Sequence, residues 1–127
     1  MGLIDFFRIN MPYGIVKTKQ NGWVAFNREY QPLGFNNTYS QPRIDINDEQ
    51  TFEHLPINTK YPNVTEKLLT SLIDENTSVE KDDKGNITRI FLYDDGTNPV
   101  NVRVSKDIAW DKYFEKIKIL SGLKTTK

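Results

Sequence analysis

The fold of this chain is decided by residues 15–30, which read IVKTKQNGWVAFNREY. Two runs rich in β-branched and aromatic residues flank Asn21-Gly22 in this stretch. Asn-Gly tolerates the positive φ angles of a type I′ turn, and its position between two β-prone runs is among the strongest short-range hairpin signals. The sequence therefore predicts an antiparallel hairpin whose second strand runs from Trp23 to Tyr30.

The second strand of this hairpin has aromatic side chains on both faces. Alternation along a strand places successive side chains on opposite faces of a sheet. One face then carries Val24, Phe26, Arg28 and Tyr30, and the other carries Trp23, Ala25, Asn27 and Glu29. The strand alone does not say which face is the core.

The middle of the chain has a looser pattern that ends in a helix. Residues 43–47 have the alternation of a short strand, and a structureless connection from 35 to 62 is uncommon in a compact domain. We therefore expect a further strand within 35–62. Asn63 followed by Glu66 resembles a capping box, and the apolar stripe after it predicts a helix over about 64–75.

The last third predicts an antiparallel meander and a final helix. Strands are expected at 77–81, 87–93 and 100–104, because turn-forming residues separate β-prone runs there. Apolar positions at steps of three and four predict a helix over about 107–120, with Gly122 after its end and a frayed basic tail over 121–127. The whole chain, 1–127, is thus predicted to be one α+β domain, a mainly antiparallel sheet packed against two helices.

Composition excludes several kinds of site. The 127 residues include no cysteine and one histidine, His54. Disulfides, thiolate metal sites and cysteine nucleophiles are therefore excluded, and a single histidine argues against a structural zinc site. Serine–histidine chemistry would rest on His54 alone, and no Gly-x-Ser-x-Gly motif accompanies it. We predict no catalytic residue, no metal site and no cofactor, and the sequence favours a protein that is not an enzyme.

Charge and hydropathy limit the partners. Lys and Arg number 17, as do Asp and Glu, so the formal net charge is zero. Equal numbers of acidic and basic residues argue against a broad positively charged surface that binds nucleic acid. No apolar run approaches the roughly 20 residues of a membrane span, and Asp5 and Arg8 interrupt the apolar start of the chain. We expect a cytoplasmic protein without membrane contact, either a monomer or a homodimer.

The first third of the chain holds the candidate binding residues. Arg and aromatic side chains are enriched at binding hot spots, because they combine a large, rigid contact surface with a polar group. The predicted binding set is Tyr13, Trp23, Arg28, Glu29 and Tyr30. The sequence therefore predicts a small non-catalytic domain that binds another protein, as accessory, immunity or phage-type regulatory proteins do.

Two other functions stay open at this point. Lys17 and Lys19 could join Trp23, Arg28 and Tyr30 in binding nucleic acid, since cations interleaved with aromatics suit phosphates and stacked bases. The lysines of the final helix could add to such a surface. Alternatively, Glu29 and Asp45 could form the carboxylate pair of a hydrolase.

Overall fold

The computed structural model describes residues 10–19, 22–38, 43–46, 48–93 and 110–122. These ranges form a six-stranded antiparallel sheet with the strand order β3-β2-β1-β6-β5, in which β4 also pairs with β2. The strands are β1 (Gly14–Thr18), β2 (Gly22–Phe26), β3 (Pro32–Leu33), β4 (Lys60–Tyr61), β5 (Ser78–Lys81) and β6 (Ile87–Phe91). The helices are α1 (Glu49–Glu53), a 3₁₀ turn (Ile57–Thr59), α2 (Glu66–Leu72) and α3 (Trp110–Leu120). The prediction of a mainly antiparallel α+β fold is confirmed.

The predicted hairpin is present as β1 and β2. The two strands pair from Gly14 with Phe26 to Thr18 with Gly22. Gly22 has φ 76°, a left-handed conformation that glycine adopts without steric cost, and it opens β2 where the chain leaves the turn. Residues 20 and 21 lie outside the described ranges, so the turn type is not assigned.

The second strand ends at Phe26, so its predicted extension to Tyr30 is wrong. Asn27 is fully buried and its carboxamide oxygen accepts hydrogen bonds from the backbone amides of Glu29 and Gln31, at 2.9 and 3.0 Å. A side chain that satisfies two backbone amides offers the chain an alternative to the strand ladder. The chain turns at this point and returns as β3, next to β2.

The strands bury both faces of the sheet. Trp23 and Ala25 belong to one apolar cluster, whereas Val24 and Phe26 belong to another, as alternation requires. The first core contains Ile15, Trp23, Ala25, Leu33, Tyr61, Ile90 and Leu92 from the sheet and its flanks, and Leu69, Leu72, Tyr113 and Leu120 from α2 and α3. The second core contains Tyr13, Val16, Val24 and Phe26, covered by Ile46, Phe52 and Leu55.

The segment that covers the second core was not predicted correctly. The described part of the expected strand at 43–47, residues 43–46, contains no strand. There the Ile44 amide donates to the Tyr30 carbonyl and the Asp48 amide closes a turn onto Asp45. Asp48 then caps α1, which was not predicted, by accepting from the Gln50 amide at 3.1 Å. The expected strand within 35–62 is present as β4.

Two helices close the first core, and α2 is slightly displaced from its predicted bounds. Helix α2 begins after Thr65, not Asn63, because the Thr65 hydroxyl accepts from the Leu68 amide at 3.2 Å. Helix α3 ends as predicted, with Gly122 at φ 77° donating its amide to the Ile119 carbonyl. The predicted strand at 100–104, the residues 107–109 and the tail from 123 lie outside the described ranges.

Polar anchors hold α3 against the sheet. The Lys116 ammonium lies 2.7 Å from a carboxylate oxygen of Asp74 and donates to the Leu92 carbonyl at 3.2 Å. The buried Tyr113 hydroxyl donates to the Pro12 carbonyl, and burial raises the pKa of this phenol. Partial burial of Asp74 opposes its ionisation, but hydrogen bonds from Lys116 and the Asn76 amide outweigh it and hold the Asp74 pKa below its ordinary value.

Candidate binding cleft

Three of the five predicted binding residues pack in or against the two cores. Tyr13 is buried in the second core, and Tyr30 packs half-buried against it. Trp23 is 6% exposed and belongs to the first core, on the opposite face of the sheet. The structure therefore brings Tyr13, Arg28 and Tyr30 to one region and separates them from Trp23.

Arg28 lies among aromatic rings inside the protein. It is 4% exposed, and its guanidinium carbon lies 4.8 Å from the centre of the Tyr13 ring and 5.9 Å from that of Tyr93. A guanidinium over an aromatic face is attracted by the ring quadrupole, more strongly where water is excluded. Arg28 thus ties the start of β1 to the end of β6, and little of its surface faces solvent.

Glu29 and Tyr30 lie in the turn after β2. Both are half-buried, and Tyr30 has φ 58°, which is unusual for an aromatic residue. The Tyr30 ring meets Phe26 edge-on at 5.5 Å between centroids. Packing against the second core holds this residue in a conformation that isolated tyrosine disfavours.

An open cleft of about 320 Å³ lies at one end of the second core. Ligand-binding pockets in proteins have volumes of about 300 Å³ and more, so this cleft lies at the lower end of that range. Its lining residues are Val16, Lys17, Thr18, Lys19, Ile46, Phe52, Asp82, Thr88 and Arg89. Val16, Ile46 and Phe52 give it an apolar base, while three cations and one acid surround that base.

The cleft opens where β1 and β6 part. Their pairing ends at Val16 opposite Arg89, although β1 continues to Thr18. Beyond that point β6 contains an irregularity, since Arg89 pairs with Glu80 but Ile87 pairs with Lys81, which leaves Thr88 as an extra residue. An extra residue in one strand bends it and interrupts the ladder. Ile46 and Phe52, from the cover of the second core, line the cleft at this gap.

The β5–β6 turn supplies the acid of the cleft. Gly85 has φ 85° in this turn, and the Asp82 carboxylate accepts from the Lys84 and Asn86 amides, each at 2.9 Å. These hydrogen bonds, the one from Asn86 foremost, lower the pKa of Asp82 below its ordinary value, and the charge of Lys17 adds to the effect. Asp82 is therefore an ionised, structurally engaged group.

The other charged side chains of the lining are three cations. Lys17 and Lys19 are exposed, and Arg89 retains 16% of its side-chain surface. Across the strands the Arg89 guanidinium lies 3.3 Å from the Glu80 carboxylate and 6.0 Å from the centre of the Phe91 ring. A chain with no net charge thus gathers a local positive surface around an apolar base.

The described residues contain no metal-binding cluster, and the histidine and acids considered from the sequence do not line the cleft. No cluster of three His, Asp or Glu side chains that could hold a metal ion occurs in these ranges. His54 is exposed after α1 and is not a lining residue of the cleft. Glu29 and Asp45, the acids of the hydrolase hypothesis, do not line it either. Asp82 is engaged by two backbone amides, so it is poorly placed to accept a proton from a substrate.

A second concavity, of about 210 Å³, lies on the helical side between α2 and the end of α3. Its lining includes Phe35, Tyr61, Val64, Leu68 and Ile119 and contains no charged side chain. Nothing in its chemistry selects one ligand class over another. The cleft on the second core is therefore the better candidate site.

No protein-family model, curated protein or solved structure matches this chain. Within the described ranges, none of the helices has the length and apolar character that crossing a bilayer requires. The geometry of the cleft is therefore the basis for inferring a function.

Sequence reasoning found part of this cleft and missed part. Lys17 and Lys19 were named as cations of the nucleic-acid hypothesis, but Arg89 was not singled out and Asp82 was interpreted as part of a turn. One signal was available, because Arg89 interrupts an otherwise apolar strand that reads Ile87-Thr88-Arg89-Ile90-Phe91. A charge in the middle of a central strand needs a partner or an opening beside it.

Proposed function

We propose that this protein is a non-catalytic domain that binds another protein by receiving a segment of it in the cleft beside Arg89. The observation that supports this most is the combination of an apolar base with three cations in one open cavity. Binding sites commonly pair apolar area, which supplies affinity, with a few polar groups that fix orientation. A cytoplasmic location remains part of the same proposal.

The alternative of nucleic-acid binding receives less support. It relied on aromatic side chains that stack on bases, but Trp23 is buried in the first core and Tyr30 packs against Phe26. Lys17, Lys19 and Arg89 remain a cationic group that phosphates could contact. An experiment must therefore compare both kinds of ligand.

Selection from random displayed peptides tests the proposal. Peptides of roughly ten residues span about 33 Å when extended, enough to cross the cleft. We expect the wild-type protein to enrich peptides whose binding is lost in a Lys17→Glu, Lys19→Glu double variant. The matched control reverses Lys67 and Lys118, exposed lysines on α2 and α3, and should retain binding.

Three results would contradict this function. One is the absence of enriched peptides, and another is equal binding by the double variant. The third is tight, salt-sensitive binding of an oligothymidylate that outcompetes the selected peptides, which would favour the nucleic-acid alternative.

A further inference from the structure

We propose that the cleft selects an acidic peptide segment, and that Glu80 occupies Arg89 in the unliganded protein as an internal competitor for it. This inference rests on the proposed function and names the chemistry of the partner. It follows from how the charges of the cleft are satisfied.

The lining of the cleft carries more positive than negative charge. Lys17, Lys19 and Arg89 line it together with a single acid, Asp82. The Asp82 carboxylate already accepts from two backbone amides and from the Asn86 carboxamide at 3.3 Å. It is thus held in its turn, where it interacts electrostatically with Lys17 and lowers the positive potential of the cleft. Potentials across an interface tend to be complementary, which points to a negatively charged ligand.

The base of the cleft adds a second requirement. Val16, Ile46 and Phe52 lie beneath the cations and belong to the second core. A free inorganic anion would leave this apolar base in water, whereas a peptide can place an aliphatic or aromatic side chain on it. The ligand class is therefore a segment in which acidic residues flank an apolar one.

Glu80 has the same chemistry as the expected ligand. Its carboxylate lies 3.3 Å from the Arg89 guanidinium, and its side chain is 51% exposed. The Arg89 side chain is only 16% exposed, so water reaches this ion pair mainly from the Glu80 side, where the carboxylate is open to exchange. A partner carboxylate can therefore replace Glu80 on Arg89, and Glu80 sets the affinity by competing.

Fluorescence anisotropy with three labelled peptides tests the ligand class. The peptides alternate leucine with glutamate, with glutamine or with lysine, and all have the same length. We expect the glutamate peptide to bind the wild-type protein most tightly, and its affinity to fall as salt rises from about 0.05 M to about 0.5 M. Equal affinity for the glutamine peptide, or preference for the lysine peptide, overturns the inference.

The Glu80→Gln variant tests the competitor. It should bind the glutamate peptide about two- to five-fold more tightly, the range that corresponds to the loss of a weak competing ion pair. Glu75→Gln is the matched control, because it also removes one acid from an exposed ion pair, that with Lys112 at 2.9 Å. This control should leave the affinity unchanged.

The two proposals fail in distinguishable ways. An unchanged affinity in Glu80→Gln, or an equal gain in Glu75→Gln, overturns the role of Glu80. Selected peptides that bind at the cleft but lack acidic residues overturn the acidic class and leave the proposed function standing. If no selected or designed peptide binds, the proposed function itself is wrong.

Discussion

The two faces of the sheet are both buried, but they are closed in different ways. On the first, α2 and α3 cover the strands, and Lys116 and Tyr113 fix α3 by polar contacts to Asp74, Leu92 and Pro12. On the second, the cover comes from Ile46, Phe52 and Leu55, next to a single short helix. Each cover leaves a concavity, of about 210 Å³ without charged side chains on the first face and of about 320 Å³ with three cations and one acid on the second. The charge of its lining, and not the extent of the cover, makes the second face the candidate binding surface.

The largest expected effect tests whether the second face is a true core. Phe52→Ala in its cover and Leu72→Ala in α2 truncate side chains that are 1% and 0% exposed. Each should lower the free energy of unfolding by about 3–4 kcal/mol, the sum of lost transfer energy and a residual cavity. Urea denaturation measures both changes. A cost below about 1 kcal/mol for Phe52→Ala would show that this segment does not pack on the sheet.

An intermediate effect tests the polar anchor of the first face. Lys116→Ala removes an ammonium group whose side chain is 7% exposed, leaving Asp74 and the Leu92 carbonyl without that partner. We expect a loss of about 2 kcal/mol in the free energy of unfolding, because removing one member of a partly buried ion pair leaves the other charged group without its partner. Lys112→Ala is the control, because its pair with Glu75 is exposed and should contribute little. Equal thermal melting of the two variants would contradict the anchor.

The smallest effect concerns the turn beside the second core. Tyr30 has φ 58°, so Tyr30→Ala loses the ring and keeps the strained backbone, while Tyr30→Gly loses the ring and relieves the strain. The glycine variant should therefore be more stable than the alanine variant by about 1 kcal/mol. Chemical denaturation of both variants gives the difference. An alanine variant as stable as the glycine one would mean that this conformation is not retained.

Elements with a local signal were predicted, and elements that depend on distant contacts were not. Asn21-Gly22 and its flanking runs identified the hairpin, and apolar steps of three and four identified α2 and α3. Helix α1 has one turn, too short for any periodicity, and it forms because Asp48 caps it and Phe52 packs on the sheet. The strand after Gly22 was extended past Phe26, because alternation continued into residues that the buried Asn27 folds into a turn.

For the candidate site too, local sequence was informative and contacts between distant segments were not predicted. Residue types alone singled out Tyr13, Trp23, Arg28, Glu29 and Tyr30, since Arg and aromatics suit both interfaces and cores. Burial places Tyr13, Trp23 and Arg28 inside the protein. The cleft depends on the irregularity in β6 and on where the second cover ends, and neither feature has a counterpart in the local sequence.

The sequence by itself determined the class of the fold, the hairpin and the end of the last helix, because turn chemistry and side-chain periodicity act over a few residues. It also determined that cysteine chemistry is absent. Only the tertiary structure decided that both faces of the sheet are buried and that Lys17, Lys19 and Arg89 meet in one cleft. Those outcomes depend on strand register and on packing between segments far apart in the chain, where no local pattern carries the information.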